Sequence, residues 1–440
     1  MPGPSRRSFV SGGVSILLVS GSAKAQPHDA FQAWLAAHAR PVRTIDPTDE
    51  DFSDLKALGE AIGDSRVVQL GEPSHGAGSC FAAKARIVKY LHRQLGFDVL
   101  IWESGLYDVA LAQAGMRGTD DAMTAARRGV FTLWSMAAEV KPLFEYIKAS
   151  QETVRPLEMA GFDFQVTADG SIARFAKDLR AFTGALGDAE LRRHASVLAE
   201  HLIAARTALV AAKFAGSGDL VALIDATNGL GKLMADRPAD FNQIRWPLGT
   251  AFMAYAIENV RSDAEFRSEF ARAPTTTSVR ESYRDERNAA TLGWLLESRY
   301  AGRKVIVWAH DVHVMNAYYD ADFRGVHLTR QGADMKPTGT FIADWFGKQV
   351  YTIGMTTFQG EDGFAMGGPA TVVAAAPQGS LEARVHAMGH AYAFMDFRNL
   401  GKDAISIRLP KYDCNTIADV GRIYNGLFYI DRMARATRAA

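Results

Sequence analysis

The chain has little cysteine, no surplus of either charge and, past its first two dozen residues, no long apolar run. Each shortage removes a class of protein. Two cysteines in 440 residues, Cys80 and Cys414, do not make a disulfide framework; they permit one bridge or a pair of buried thiols. Cys80 follows His75 by five residues, a spacing with no mechanical meaning for a Cys–His nucleophile. The 49 Lys and Arg balance 49 Asp and Glu, so no basic field exists to neutralise nucleic-acid phosphates. No later segment offers about 18 uninterrupted apolar residues, so no membrane partner is expected of the mature protein and it reads as soluble. Repeats, linkers and low-complexity tracts are missing as well. A G-x-S-x-G elbow is also absent, which takes the central signal from a serine-nucleophile hydrolase.

What is present begins with a leader. Ser5-Arg6-Arg7-Ser8-Phe9-Val10 gives a charged start, Val14-Ser15-Ile16-Leu17-Leu18-Val19 a short apolar stretch, and Ala23-Lys24-Ala25 a cleavage signal. Together they predict a signal peptide over residues 1–25. The Arg6-Arg7 pair with Phe9 resembles the twin-arginine type, so a periplasmic or secreted location is expected. Removing Arg6, Arg7 and Lys24 leaves three more acidic than basic residues. The hydrophobic fraction of 48% is that of a globular chain with a large core, predicted as one domain over residues 26–440.

Within that domain, short apolar runs end repeatedly in polar residues. Val67-Val68-Gln69-Leu70 runs into Gly71-Glu72-Pro73-Ser74-His75-Gly76. Asp98-Val99-Leu100-Ile101-Trp102 ends in Glu103, the weaker Leu157 to Phe162 ends in Asp163, and Lys304 to Ala309 ends in His310-Asp311-Val312-His313. Further strands are predicted at 350–355, 393–397, 404–407 and 427–430. A helix over 79–95 separates the first two runs, and a long helical insertion at about 174–300 precedes the last, placed to cap the strand ends. Continuous apolar strands alternating with helices predict an α/β fold with a mainly parallel central sheet flanked by helices.

In such a sheet the residues just past the strands converge on one edge. Glu72, His75, Glu103, Asp163, His310 and His313 occupy equivalent places, and they are the residue types of acid–base chemistry. An imidazole titrates near working pH and takes a proton from water, while a carboxylate orients the ring. A donor on the opposite side stabilises the oxyanion of an ester under attack.

Several of these segments resemble the erythromycin esterase family. Gly71-Glu72-Pro73-Ser74-His75-Gly76 is similar to its G-E-x-[ST]-H-G signature, and Lys84-Ala85-Arg86 to the basic pair on the following helix. Glu103 falls where the family's second carboxylate does. Arg284-Asp285 with Trp294-Leu295, and Val307-Trp308-Ala309-His310-Asp311-Val312-His313-Val314, look like two further family segments. Gly379-Ser380-Leu381-Glu382, Asp396-Phe397-Arg398 and Phe428-Tyr429-Ile430-Asp431 resemble its weaker C-terminal marks. Ser79 stands where many members carry an acid, and Asn288 and Thr291 replace the usual residues of the Arg-Asp helix.

The resemblance implies hydrolysis of a macrolide lactone by water that His75 activates, and with it a role in antibiotic resistance. Glu72 and Glu103 would orient and tune the base; His310, His313, Arg86 and Lys84 would polarise the carbonyl or bind substrate. Asp163, Arg284 and Asp285 complete the expected substrate side, the last two equally suited to bracing. The expected partner is a small-molecule ester or lactone, with no cofactor. Two alternatives stay open. A metal-dependent hydrolase would hold a divalent metal on His75, Glu103, His310 and His313, joined by Glu72. A non-catalytic periplasmic protein would use the same cluster to hold a haem or a small anion.

Overall fold

The computed structural model describes residues 28–439 except 167–170, 211–216, 273–276, 318–320, 324–325, 328–335, 403, 410–411 and 413. The expected leader lies outside the described residues. The strands in chain order are β1 (Arg40–Pro41), β2 (Val67–Leu70), β3 (Val99–Gly105), β4 (Glu158–Asp163), β5 (Val305–Trp308), β6 (Ala321–Phe323) and β7 (Val326–His327). They continue with β8 (Val350–Asp362), β9 (Thr371–Val373), β10 (Tyr392–Asp396), β11 (Ala404–Arg408), β12 (Cys414–Ala418) and β13 (Gly426–Met433).

One sheet runs β1-β10-β13-β8-β2-β5-β3-β4, with β9 paired to the far end of β8. The pairings from β13 through β8, β2, β5 and β3 to β4 are all parallel, and only β1, β10 and β9 join antiparallel. This is the α/β sheet expected from the sequence. A small antiparallel sheet of β11, β12, β6 and β7 stands apart.

The sheet is covered on both sides because its central strands are apolar on both. Val68, Leu70, Leu100, Trp102, Ile306 and Trp308 pack with Phe81, Val88 and Leu91 of the helix Gly78–Leu95. Val67, Val99, Ile101, Val305 and Val307 point the other way, toward Phe175, Leu198, Leu223, Ile257 and Leu292. The alternation follows from the two-residue period of a strand. Those last residues belong to the helices Ser171–Gly184, Ala189–Val210, Ser217–Asp236, Thr250–Arg272 and Thr277–Trp294, which lie between β4 and β5. They pack mainly on that face, and the Thr277–Trp294 helix carries Arg284 to the end of β4.

Two local features fix the strand ends. β3 pairs Trp102 with Gly161 but Gly105 with Asp163, so an extra residue bulges out between them. A bulge re-aims the side chains it contains, and Glu103 is one of them. The loop after β2 is stitched to the far end of the chain: Ala436 N–H donates to Gly76 O at 2.8 Å, and Ala434 N–H to Ser79 Oγ at 2.8 Å. Ser79 therefore serves the C-terminal segment instead of supplying a charge.

The motif glycines are steric requirements. A Cβ on Gly71 would lie 1.8 Å from Asp311 Oδ1, and one on Gly76 would lie 2.3 Å from Asp362 Oδ1 and 2.7 Å from the Gly363 nitrogen. Gly76→Ala must therefore displace backbone as well as a side chain, with an expected loss of about 1–3 kcal/mol. Gly231→Ala, on the helix Ser217–Asp236 with nothing within 4 Å of its Cβ, should gain stability by about 0.5–1 kcal/mol. Chemical denaturation of both variants checks the pair, and an undiminished stability for Gly76→Ala would refute the steric account.

Candidate active site

Four chain segments meet at the carboxyl ends of β2, β3, β4 and β5. The first is the loop after β2. Glu72 has no exposed surface, and a buried carboxylate needs its lone pairs filled. Lys84, equally buried, pairs with Oε2 and also donates to Ala309 O at 3.1 Å. Trp134 Nε1 donates to Oε1 at 3.2 Å, and His75 Nδ1 faces that same oxygen at 3.2 Å. Burial pulls the Lys84 ammonium below its ordinary range, against the opposing charge of Glu72.

The second segment follows β5. His310 caps the short helix Asp311–Val314, its Nδ1 accepting the Val312 N–H at 3.1 Å. That acceptor role puts the proton of the neutral ring on Nε2. Burial, then the neighbouring His75, pushes His310 well below the usual imidazole range, so it stays neutral. The His75 and His310 rings meet edge to face, 4.8 Å apart.

Glu103, turned by the β3 bulge, ties the site together. Its Oε2 accepts the His310 backbone N–H at 2.8 Å, while Oε1 takes Arg284 Nη2 at 2.9 Å and lies 3.3 Å from His313 Nε2. Burial alone would raise this carboxyl, but His313, Arg284, His75 and the His310 amide together hold it well below the usual carboxylate range. His313 also faces Asp285 through Nδ1 at 2.8 Å. Burial opposes its charge, yet Asp285 and Glu103 prevail over both burial and Arg284 and hold it up at about 9. Arg284 then bridges to Asp163 Oδ2 at 2.7 Å, where Asn288 adds a 3.4 Å contact.

The fold thus gathers Glu72, His75, Lys84, Glu103, Asp163, Arg284, Asp285, His310 and His313. It does not bring in Arg86, expected here as a substrate contact. Arg86 holds Asp54 at 2.7 Å and the carbonyls of Asp51 and Thr44 at 2.6 and 3.0 Å. The reason is helical geometry: residues two apart point to nearly opposite sides, so Lys84 and Arg86 cannot serve one site. Lys84, Asp163 and Asp285 are 0%, 0% and 4% exposed; they brace other site residues and do not face an opening. The side chains of His75 and Arg284 are the accessible ones, at 25% and 15%.

Trp134 was not legible as a site residue, because it comes from the short helix Thr132–Ser135 and follows no strand. Thr338 lies far from the strand ends expected from the sequence; its N–H and hydroxyl both donate to Asp285 Oδ1, at 3.0 and 2.8 Å. Cys80 is a buried free thiol whose burial raises its pKa well above the ordinary value, the opposite of an activated nucleophile. Among the described residues no group of three or more His, Cys, Asp or Glu side chains is disposed to hold a metal ion. Of the four suggested ligands, Glu103 has both oxygens on protein donors, and His313 has Nδ1 on Asp285 and Nε2 between Arg284 at 3.0 Å and Glu103 at 3.3 Å.

The His313 network makes stability depend on pH. Its folded value of about 9 lies above the ordinary 6.5, so its contribution is full below about pH 6.5 and is lost as pH rises through about 9. The melting midpoint should fall over that interval, and the fall should shrink in Asp285→Asn. Equal slopes for parent and variant in a pH series of melting curves would overturn the assignment.

Comparison with known proteins places the chain in a family. The family model described as erythromycin esterase matches residues 92–426, a span that includes Glu103, Asp163, Arg284, Asp285, His310 and His313 and begins after Glu72, His75 and Lys84. The hydrolase-named protein YbfO of Bacillus subtilis (strain 168) is 26% identical over 399 residues, covering 86% of this chain and 84% of its own. Erythromycin esterase type II of Escherichia coli is 22% identical over 454 residues, covering 91% of this chain and 97% of its own. The solved structure of a histidine-substituted erythromycin esterase EreC in its open conformation superposes with a TM-score of 0.69 at 16% identity, over 90% of this chain and 98% of that one. The chain therefore belongs to the erythromycin esterase family.

Proposed function

We propose that this hydrolase-family protein cleaves a carboxylic ester of a small molecule, a macrolide lactone or a related ester, with water as nucleophile and His75 as general base. The observation that carries the reading is the state of His75. It is the most accessible side chain of the cluster, and its Nδ1 is taken by the buried Glu72. A Nδ1–H held by a carboxylate leaves Nε2 as the basic nitrogen.

The steps balance on that assignment. His75 Nε2 takes a proton from water as the oxygen attacks the ester carbonyl. The neutral His310 offers Nε2–H to the oxyanion. When the C–O bond breaks, His75 returns its proton to the departing alkoxide, giving acid and alcohol. Glu103 reaches the reaction only through its hold on the His310 backbone, Arg284 and His313. The leader supports action in the periplasm or outside the cell, and a macrolide substrate would make the protein an antibiotic-resistance factor.

Mass spectrometry of a macrolide panel, extended to simple esters, tests the reading. The parent protein should add one water to a ring or ester, and His75→Asn should lose about 10³-fold in rate while remaining folded. Activity should survive a chelator; its loss there would favour the metal-dependent alternative. Tight binding of a panel member with no turnover by the parent would overturn the hydrolase in favour of a ligand-binding protein.

A further inference from the structure

Three tryptophans, Trp102, Trp134 and Trp308, lie fully buried beneath the site. Among the described residues the indole N–H groups of Trp102 and Trp308 have no hydrogen-bond partner, which suits rings that serve as packing. The Trp134 N–H does have one, and it is the carboxylate that holds His75: Nε1 donates to Glu72 Oε1 at 3.2 Å. His75 Nδ1 uses that same oxygen, at 3.2 Å. The Trp134 and His75 rings also meet in a T-shaped contact, 5.4 Å between centroids at an interplanar angle of 83°.

We infer that Trp134 is a positioning residue for His75, acting through Glu72 and through its own ring. This rests on the general-base reading of His75. The two donors on Oε1 divide the work. Lys84 holds Oε2, and with His75 as its only donor Oε1 would be free to shift with the very ring it orients. The indole N–H removes that freedom and fixes the lone pair toward which Nδ1–H points. The ring contact then limits how His75 can turn. Trp134 is itself held in place: it stacks on Phe131 at 6.2 Å and 3°, and the Phe131 N–H donates to Ser104 Oγ at 3.0 Å. Ser104 adjoins Glu103 in the β3 bulge, so one irregular stretch of strand sets both Glu103 and the support of Trp134.

Trp134→Phe keeps the stacked ring and deletes only the donor, so it separates packing from positioning. In the parent, the indole ¹H–¹⁵N resonance absent from the Trp134→Phe spectrum should move on Glu72→Gln, which needs no substrate to observe. In Trp134→Phe the His75 ring ¹⁵N shifts should show mixed tautomers in place of one. With an ester found in the panel, kcat should fall about tenfold with KM unchanged. An indole resonance indifferent to Glu72→Gln would overturn the inference, as would a Trp134→Phe protein with parental histidine shifts and kcat. Absence of turnover in the parent would instead remove the hydrolase reading, and the spectra would still decide whether Trp134 orders His75.

Discussion

Everything at the strand ends depends on keeping two carboxylates charged where water does not reach. Glu72 and Glu103 are 0% and 1% exposed. A carboxylate in such a place is stable only if its charge and lone pairs are met, and removing one partner of a buried pair costs about 3–5 kcal/mol. Lys84 meets the first, Arg284 and His313 the second. These partners need carboxylates of their own, which is why Asp163 and Asp285 stand behind them. The network is thus larger than the chemistry requires, and its outer members exist to make the inner ones tolerable. His310 stays neutral amid it, and His75 alone of the imidazoles is substantially open to the outside.

The parts of this arrangement that could be read in the sequence are those tied to strand periodicity. Val67–Leu70 and Val305–Trp308 were legible because parallel strands buried on both faces are continuous apolar runs, and their ends named Glu72, His75, His310 and His313. β3 was read as ending at Trp102 and extends to Gly105. A bulge depends on how a strand pairs with its neighbour, which one strand's pattern does not carry. Arg86 was misplaced because its resemblance to a basic pair says nothing of helical phase; two residues on, the side chain faces Asp54. Trp134 and Thr338 reach the site from helices away from the strand ends expected from the sequence, and long-range packing of that kind leaves no local signal.

The relatives share a fold more than a sequence. At 16% identity the EreC structure still superposes over 90% of this chain, which is what a sheet with sites at its strand ends permits: strand positions fix a frame, and loops vary on it. The helices between β4 and β5 contribute their packing to one face of the sheet and a single helix, Thr277–Trp294, to the site. Most of that stretch is free to differ among relatives without disturbing Arg284 and Asp285.

The stitching of the loop after β2 to the chain's far end has a consequence for how the protein is made. Gly76 and Ser79 receive their backbone partners from Ala434 and Ala436, more than 350 residues later in synthesis. The loop carrying His75 is translated early and cannot be locked until nearly the whole chain has emerged. Competence in this molecule is therefore a late event of folding, and a chain truncated before Ala434 would hold the chemical groups of the site without the backbone that keeps them in place.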